Sequence, residues 1–396
     1  MNTVSLLGRA GGLMLVASAL LTAGPVTTVP WNGHAGAVSF TYDDARASQI
    51  PNLLPQLDSL GLKATFYIAV QNVGNFNARR ADWITVARNG HELANHTYKH
   101  ENVHQISADS VTRVIKTMAD TLRGLDTTIQ SVTFAYPNCN VPGAAASKAG
   151  ISAENFIARG CGGTTYAWGT QPTDWMNVQG LIMQPSNQTA GINALNAAKN
   201  QNRWATLVIH DVADPTPDAY SITPANNLQL LTTAVANGSW VAPFETIGAY
   251  YRAHFTLDTA SAVVNDQGWK VEWVSPHARM PRRVPVRIRL DTAVFGDSAV
   301  VVQGGVVRPL QADGTYIVDF MTLRLDVYPK GTVALASSSP FRSARLNTRV
   351  TGRDVSVRGL SPDAYAYTLR AATGRLVQRG TLRASGADHV FTLQVD

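Results

Sequence analysis

The sequence of 396 residues contains only two cysteines, Cys139 and Cys161. So few cysteines exclude a small disulfide-stapled fold, and the lack of a histidine pair beside them argues against a zinc knuckle. If bonded, they would close a loop of about twenty residues, for which the chain-entropy model gives on the order of 3 kcal/mol of stabilisation. We expect a disulfide, with two buried free thiols as the alternative.

Long apolar runs are also missing. After the N-terminal segment, no stretch of the sequence approaches the length of a membrane span. The N-terminus itself has a short apolar core, Gly12 to Leu21, after the single charge of Arg9, and then the small residues Thr22 and Ala23. This pattern predicts a cleaved export signal over residues 1–23, with a membrane anchor as the alternative. We therefore expect a secreted, periplasmic or cell-surface protein without a membrane span in its mature form.

Charged residues are scarce as well, at 15% of the chain against 45% hydrophobic residues, a composition that excludes a disordered protein. Residues 1–255 carry 15 Lys+Arg and 15 Asp+Glu, whereas residues 256–396 carry 18 and 12. This C-terminal excess indicates either solvated strand faces or attraction to an acidic polysaccharide or anionic envelope surface. No basic cluster is interleaved with aromatic residues, so we do not expect nucleic-acid binding.

The length of the chain predicts two or three domains. From Ala37 to about His254, short apolar strands alternate with helical stretches, which indicates a parallel α/β sheet or barrel. After about Phe255, short alternating stretches typical of a β-sandwich take over. We expect an α/β domain at 31–255, a β-rich domain at 256–335 and a small β domain at 341–396, with a serine-rich break at 336–340.

Two adjacent aspartates, Asp43 and Asp44, follow an apolar run, and His96 and His100 follow another predicted strand. In α/β barrels such strand ends meet at one edge. Two imidazoles and one carboxylate suit a divalent metal with open positions, most naturally zinc, with cobalt or nickel acceptable. Because neighbours on a strand point to opposite faces, we expect Asp44 as the ligand and Asp43 as a general base. His104 is a competing ligand with a less natural spacing. The pattern predicts metal-assisted hydrolysis.

Five short segments, in order, resemble the motifs of the NodB-homology polysaccharide deacetylases, carbohydrate esterase family 4. They are Thr41-Tyr42-Asp43-Asp44, His96-Thr97-Tyr98-Lys99-His100, Phe134-Ala135-Tyr136-Pro137, Asp174-Trp175 and Leu207-Val208-Ile209-His210. The resemblance covers residues 36–255. It implies a distorted (β/α)7 barrel that hydrolyses acetyl groups from sugars.

The resemblance also implies a role for individual residues. Asp43 would be the base, His210 the general acid, and Asp174 a carboxylate that raises the basicity of His210 through a hydrogen bond. Asp44, His96 and His100 would be the metal ligands, as the residue types themselves indicate. A backbone N–H near Asn138 would stabilise the oxyanion. The residues expected to line the substrate site are Tyr136, Pro137, Asn138 and Trp175.

The third motif departs from the family pattern. Many members have an arginine at the position of Ala135, where it neutralises and orients the base. Arg159, at the end of the next predicted strand, could supply this guanidinium from another direction, and an ordinary packing or surface arginine is the alternative. We therefore include Arg159 among the candidate catalytic residues.

Together these features predict an exported deacetylase of an N-acetylated polysaccharide, chitin-like or peptidoglycan-like. The alternatives are an O-acetyl esterase acting on xylan or another hemicellulose, and a carbohydrate-binding protein with weak catalysis. Near the C-terminus, the strand Tyr365–Arg370 and the segment Gly374-Arg375-Leu376-Val377 faintly resemble the β-domains that serve type IX secretion. A carbohydrate-binding or spacer module is an equal alternative there.

Overall fold

The structure, a computed structural model, describes residues 24–163, 165–265, 268–297 and 299–329, and the strands of 347–351, 354–358, 364–370, 376–383 and 388–392. The predicted export signal at 1–23, the serine-rich break at 336–340 and the pair Gly374-Arg375 lie outside the described residues. Among the described helices, none is both long and apolar enough to cross a membrane.

Strands and helices alternate from residue 26 to residue 257, as the sequence predicts. The strands are β1 (Val26–Thr28), β2 (Ala37–Asp43), β3 (Thr65–Ile68), β4 (Glu92–Asn95), β5 (Thr133–Ala135), β6 (Ile157–Cys161), β7 (Thr165–Ala167), β8 (Val178–Ile182), β9 (Arg203–Ile209) and β10 (Trp240–Val241). The helices are α1 (Leu54–Ser59), α2 (Arg80–Arg88), α3 (Ala108–Arg123), α4 (Ala145–Ser152), α5 (Gln188–Asn200), α6 (Pro224–Ala236) and α7 (Phe244–Leu257).

Seven of these strands close into a barrel. Strands β2, β3, β4, β5, β6, β8 and β9 are hydrogen-bonded in this order, and β9 pairs again with β2. All of these pairings are parallel. The predicted (β/α)7 barrel is therefore confirmed. Outside the closed barrel, β10 pairs in parallel with β2, and β7 pairs antiparallel with β9.

Local sequence explains the elements that carry the site. Strand β2 is buried along its whole length, and the hydroxyls of its polar residues Ser39 and Thr41 donate to backbone carbonyl oxygens. Helix α3 begins after Ser107, whose side chain accepts a hydrogen bond from the backbone N–H of Ser110 and so caps the helix. The side chains that α3 buries recur at helical spacing. They are Val111, Ile115, Met118, Ala119 and Leu122.

The following part of the chain is built from antiparallel strands, as predicted. Its elements are β11 (Ser261–Asn265), β12 (Gly268–Glu272), β13 (Pro285–Leu290), α8 (Thr292–Phe295), β14 (Val300–Gln303), β15 (Val306–Arg308), β16 (Tyr316–Asp319) and β17 (Arg324–Tyr328). One sheet has the order β11-β12-β17-β14-β15, and a second sheet has the order β1-β13-β16.

Strand β1 therefore leaves the barrel part and completes a sheet of the following part. Val26 pairs with Leu290, and the hydroxyl of Tyr250 on α7 donates to the carbonyl oxygen of Val29. Buried apolar residues from both parts, such as Trp204 of β9 and Ile288 of β13, belong to one continuous cluster. The barrel and residues 268–329 thus share a hydrophobic core.

The last described strands form two small antiparallel sheets. They are β18 (Asn347–Thr351), β19 (Asp354–Arg358), β20 (Ala364–Arg370), β21 (Leu376–Arg383) and β22 (Asp388–Thr392). Their orders are β18-β19-β22 and β20-β21. β-Strands are present where the sequence predicts them, and the predicted domain limits remain predictions.

Candidate active site

Five of the predicted site residues gather at one edge of the barrel. Asp43 is the last residue of β2 and Asp44 follows it, while His96 and His210 directly follow β4 and β9. His100 lies four residues further along the loop after β4. Because the barrel strands are parallel, their C-terminal ends meet at the same edge, and the loops after them form a single site.

Asp44, His96 and His100 fit a divalent metal ion. The Oδ1 atom of Asp44 lies 3.5 Å from Nε2 of His96 and 3.6 Å from Nε2 of His100. Within the described residues this buried oxygen has no hydrogen-bond partner. Separations of this size are expected for atoms that each lie about 2.1 Å from a common ion in tetrahedral geometry. The three donor atoms therefore converge, and no other described group satisfies Oδ1 of the carboxylate.

The imidazole of His96 is prepared for coordination. Its Nδ1 lies 2.9 Å from the carbonyl oxygen of Ala135, so Nδ1–H donates there and the lone pair of Nε2 faces Asp44. Burial lowers the pKa of His96 to about 4, against the opposing effect of the nearby carboxylates. His96 is therefore neutral at neutral pH, which is the form that binds metals. The competing candidate His104 is exposed and lies outside the described cluster.

The loops that carry the ligands adopt rarely populated backbone conformations. Asp44 has a φ of 74° and His100 a φ of 56°, both in the left-handed region. Such conformations cost on the order of 1–3 kcal/mol for residues other than glycine, and they persist where the surroundings fix them. A Cβ atom at Gly74 would lie 1.7 Å from the carbonyl oxygen of Asp44, so glycine is required for the close approach of that loop.

Arg159 contacts Asp43, as predicted. The side chain of Arg159 is buried, and its terminal nitrogen lies 2.5 Å from Oδ2 of Asp43. Arg159 is the register partner of Ala135 across β5 and β6, so the guanidinium comes from the strand beside the expected position. The Cζ atom of Arg159 also lies 5.0 Å from the ring centroid of Tyr67.

The surroundings of Asp43 keep it ionised with one oxygen available. Burial raises the pKa of Asp43, but the charges of Arg159, His96 and His210 outweigh this effect and lower the pKa below its usual value. The second oxygen, Oδ1, is buried and has no hydrogen-bond partner among the described residues. Asp43 can therefore accept a proton at Oδ1 while Arg159 holds Oδ2.

The expected hydrogen bond between Asp174 and His210 is wrong. Nε2 of His210 lies 4.0 Å from Oδ2 of Asp44, and its Nδ1 is buried without a partner in the described part of the chain. Asp174 instead accepts hydrogen bonds from Lys148 Nζ at 2.5 Å and from the backbone N–H of Met176 at 2.8 Å. The reason is local, because one oxygen of Asp174 is held by Lys148 of α4 and the other by the backbone of its own turn.

Trp175 packs against helix α7. It precedes β8, and its ring contacts Tyr251 and Phe255. The guanidinium of Arg252 lies 5.2 Å from the ring centroid of Trp175. The expectation that Trp175 lines the substrate site stays a prediction.

The turn after β5 is the remaining predicted substrate segment. Tyr136 is buried, and its hydroxyl donates to the carbonyl oxygen of Met176 at 2.6 Å. Pro137 is buried, whereas Asn138 is exposed and has a φ of 56°. Of these three residues, only Asn138 is exposed to solvent.

Cys139 and Cys161 form a disulfide, with their Cα atoms 5.5 Å apart. Cys139 belongs to the turn after β5, and Cys161 ends β6. Sγ of Cys161 also lies 3.7 Å from a terminal nitrogen of Arg159. The bond therefore ties the Asn138 turn to the strand that holds Arg159.

Two residues that sequence reasoning missed complete the site. The side-chain amide of Gln49 donates to the backbone carbonyl oxygens of Asp43 and His210, both at 2.8 Å. A terminal nitrogen of Arg46 lies 2.9 Å from Oδ2 of Asp44, so only Oδ1 of that carboxylate remains free. The only signal in the sequence is that both polar residues closely follow the Asp-Asp pair.

Comparisons with known proteins agree with these motifs. Residues 32–153 match the family model described as polysaccharide deacetylase. The chain is 27% identical over 104 residues to "Probable peptidoglycan-N-acetylglucosamine deacetylase" of Arthroderma benhamiae, which covers 25% of this chain and 24% of that protein. It is 26% identical over 267 residues to "Gellan lyase" of a Bacillus species, which covers 58% of this chain and 10% of the lyase. The chain thus spans only a minor part of both curated relatives.

Among solved structures, the chitin deacetylase from the fungal pathogen Colletotrichum lindemuthianum matches with 18% identity and a TM-score of 0.39. This match covers 54% of the present chain and 88% of the fungal chain. The segment matched by the family model contains Asp43, Asp44, His96 and His100. Residues 32–153 of this chain are therefore similar to the polysaccharide deacetylase family, in agreement with the sequence motifs.

Proposed function

We propose that this chain is an exported, metal-dependent hydrolase that removes acetyl groups from an N-acetylated polysaccharide, chitin-like or peptidoglycan-like. The observation that carries the proposal is the convergence of Asp44, His96 and His100 beside Asp43, a second carboxylate that is ionised and has one free oxygen. The family match and the deacetylase name of the fungal relative support the choice of an acetylated glycan.

The donor set favours zinc, with cobalt or nickel as substitutes, because two neutral imidazoles and one carboxylate suit these ions. When bound, such an ion supplies a Lewis acid for the acetyl carbonyl oxygen and lowers the pKa of a water molecule. Arg46 holds Oδ2 of Asp44, which leaves Oδ1 to face the two histidines. The carboxylate would therefore bind through a single oxygen.

The remaining residues divide the proton transfers between them. Asp43 accepts a proton from the attacking water at Oδ1, while Arg159 restrains Oδ2. His210 then donates a proton to the departing nitrogen as the C–N bond breaks, which yields acetate and a free amine. A backbone N–H near Asn138 supports the developing oxyanion. Gln49 joins the backbone of Asp43 to that of His210 and so fixes the distance between base and acid.

The proposed export is supported by two features. Residues 1–23 have the charge, apolar core and small residues of a cleaved signal. The Cys139–Cys161 disulfide suits an oxidising compartment outside the cytoplasm. A glycan of the cell envelope or surroundings would be met there.

An acetate-release assay tests the proposal. The protein is stripped with a chelator, reloaded with Zn²⁺, Co²⁺ or Ni²⁺, and incubated with N-acetylglucosamine oligomers and with acetylated xylan. We expect acetate release from the N-acetylated oligomers, its loss on chelation and its return on reloading. Release from acetylated xylan alone would support an O-acetyl esterase instead. Glycan binding that survives Asp43→Asn, with no release from either substrate, would support a binding protein.

A further inference from the structure

The loop after His210 presents an exposed aromatic ring beside the candidate active site. Tyr220 is 48% exposed, and its ring centroid lies 5.7 Å from that of His210 at an interplanar angle of 44°. His210 lies in turn 4.0 Å from Asp44. His210 thus lies between the ring of Tyr220 and the metal-type cluster and contacts both.

The backbone around Tyr220 is held on both sides. Oδ1 of Asp218 accepts hydrogen bonds from the Tyr220 N–H at 2.9 Å and from the Ser221 hydroxyl at 2.6 Å. The N–H of His210 donates to the carbonyl oxygen of Tyr220, and the N–H of Ile222 donates to that of Asp211. An aromatic side chain on a braced loop loses little conformational entropy when a ligand binds. Tyr220 is therefore presented in a fixed place.

Two charged side chains, those of Asp218 and Arg46, lie close to the Tyr220 segment. The side chains of Asp218 and Arg46 are 34% and 28% exposed, and a terminal nitrogen of Arg46 lies 3.9 Å from Oδ2 of Asp218. An aromatic face with hydrogen-bonding groups at its rim suits a pyranose, because the ring offers an apolar C–H face and hydroxyl groups at its edge. A purely apolar ligand would instead desolvate both charges without satisfying them.

We propose that Tyr220, Asp218 and Arg46 form a sugar-binding subsite next to the acetyl-cleaving centre. Tyr220 stacks on the ring of the sugar adjacent to the one that loses its acetyl group, and Asp218 and Arg46 hydrogen-bond to its hydroxyl groups. The inference rests on the proposed function and sharpens it, because it makes an oligosaccharide, not a single acetylated sugar, the preferred substrate.

The test compares N-acetylglucosamine with its tetramer as substrates of the zinc-loaded protein. We expect Tyr220→Ala to lower kcat/KM for the tetramer at least tenfold, mainly through KM, and to leave the value for the monomer within twofold. Tyr220→Phe keeps the ring and should leave both values within twofold. Leu310→Ala removes another exposed apolar side chain, 57% exposed and outside the barrel, and should change neither value.

The outcomes separate the subsite from the proposed function. An unchanged tetramer value in Tyr220→Ala, or an equal loss for monomer and tetramer, would overturn the subsite and leave deacetylation intact. If the wild-type protein released no acetate, the proposed function would be wrong. The subsite would then be tested by sugar binding alone. Calorimetric titration with the N-acetylglucosamine tetramer and with xylotetraose should show a Kd at least fivefold weaker in Tyr220→Ala for the sugar that binds. An equal Kd, or binding of neither sugar by the wild type, would overturn it.

Discussion

The two oxygens of Asp43 have very different surroundings, and one arginine accounts for the difference. Oδ2 lies 2.5 Å from Arg159, whereas Oδ1 has no hydrogen-bond partner among the described residues. Both Asp43 and Arg159 are buried, so the pair has little screening from solvent. Without the guanidinium, the largest effect that opposes burial would be lost, so the pKa of Asp43 would be higher than in the wild type.

Arg159→Ala should therefore move the acidic limb of the kcat/KM profile to higher pH. The unfolded protein has no such pair, and removal of one partner leaves a buried charge alone, so the free energy of unfolding should also fall by about 3–5 kcal/mol. The measurement is the pH–rate profile of the zinc-loaded protein together with urea unfolding. Arg88→Ala is the control, because Arg88 is 64% exposed and pairs with Asp126 at the surface. An unchanged acidic limb would contradict the role of Arg159.

The residues of the site were predictable to different degrees. Asp44, His96 and His100 could be identified because strand-end position and ligand type coincide in the sequence. Arg159 was predictable as a replacement for the missing charge at Ala135, and the register of β5 and β6 supplies the physical reason. Gln49 was not predictable, since its role depends on two strand ends that only the closed barrel brings together.

At the scale of elements, the start of β4 and the start of α7 bring a buried carboxyl group, that of Glu92, close to a half-buried one, that of Glu245. Glu92 accepts hydrogen bonds from the hydroxyls of Thr65 and Thr133 and from the backbone N–H of Glu245. Burial raises the pKa of Glu92, and burial together with the charge of Glu92 raises the pKa of Glu245 to about 8. The folded protein therefore retains a proton on Glu245 at neutral pH.

This proton makes stability depend on pH. As the pH rises from about 4.5 to about 8, Glu245 loses its proton in the unfolded chain but keeps it in the folded chain, so the free energy of unfolding falls over this window. Glu245→Gln should remove this contribution and lose less stability between pH 5 and pH 8 than the wild type. Urea unfolding at the two pH values measures the difference, with the half-exposed Glu272→Gln as control. An equal loss of stability in the wild type and in Glu245→Gln would refute a proton held on Glu245 in the folded protein.

The barrel elements differ in how clearly the sequence marks them. Strand β2 and helix α3 lie where alternating strands and helices are predicted, and the apolar residues of α3 recur at helical spacing. Strand β8 contains Gln179 and Gly180 within five residues, which resembles a turn more than a strand. Gly180 is needed there because a Cβ would lie 2.8 Å from a methyl of Val208.

At the scale of the whole molecule, the barrel is joined to the β-rich part by more than a linker. Strand β1 completes the sheet of β13 and β16, and one apolar cluster extends from the barrel into that sheet. This pairing was not predictable from the sequence, because β1 and β13 are separated by the whole barrel. The role of residues 341–396, whether secretion, glycan binding or spacing, remains a proposal.

Metal binding should stabilise the whole fold, because the unfolded chain lacks the converged donor set. A metal that binds only the folded protein contributes about 2.7 kcal/mol when its free concentration is 100 times Kd. Zn²⁺ should therefore raise the Tm of the wild-type protein and leave that of His100→Ala unchanged. His104→Ala, which removes an exposed histidine of the same loop, should behave like the wild type. A Tm shift in His100→Ala equal to that of the wild type would exclude this metal site.

The division of roles between Asp43 and Asp44 is the centre of the account, and one comparison tests it most directly. Acetate release from the N-acetylglucosamine tetramer is measured for the zinc-loaded wild type, Asp43→Asn and Asp44→Asn, together with the zinc content of each protein. We predict that Asp43→Asn keeps its zinc and loses about 10²–10⁴-fold in kcat, as expected for a general base, whereas Asp44→Asn loses the metal. An Asp43→Asn protein that retains the wild-type rate, or that loses zinc as Asp44→Asn does, would contradict the account.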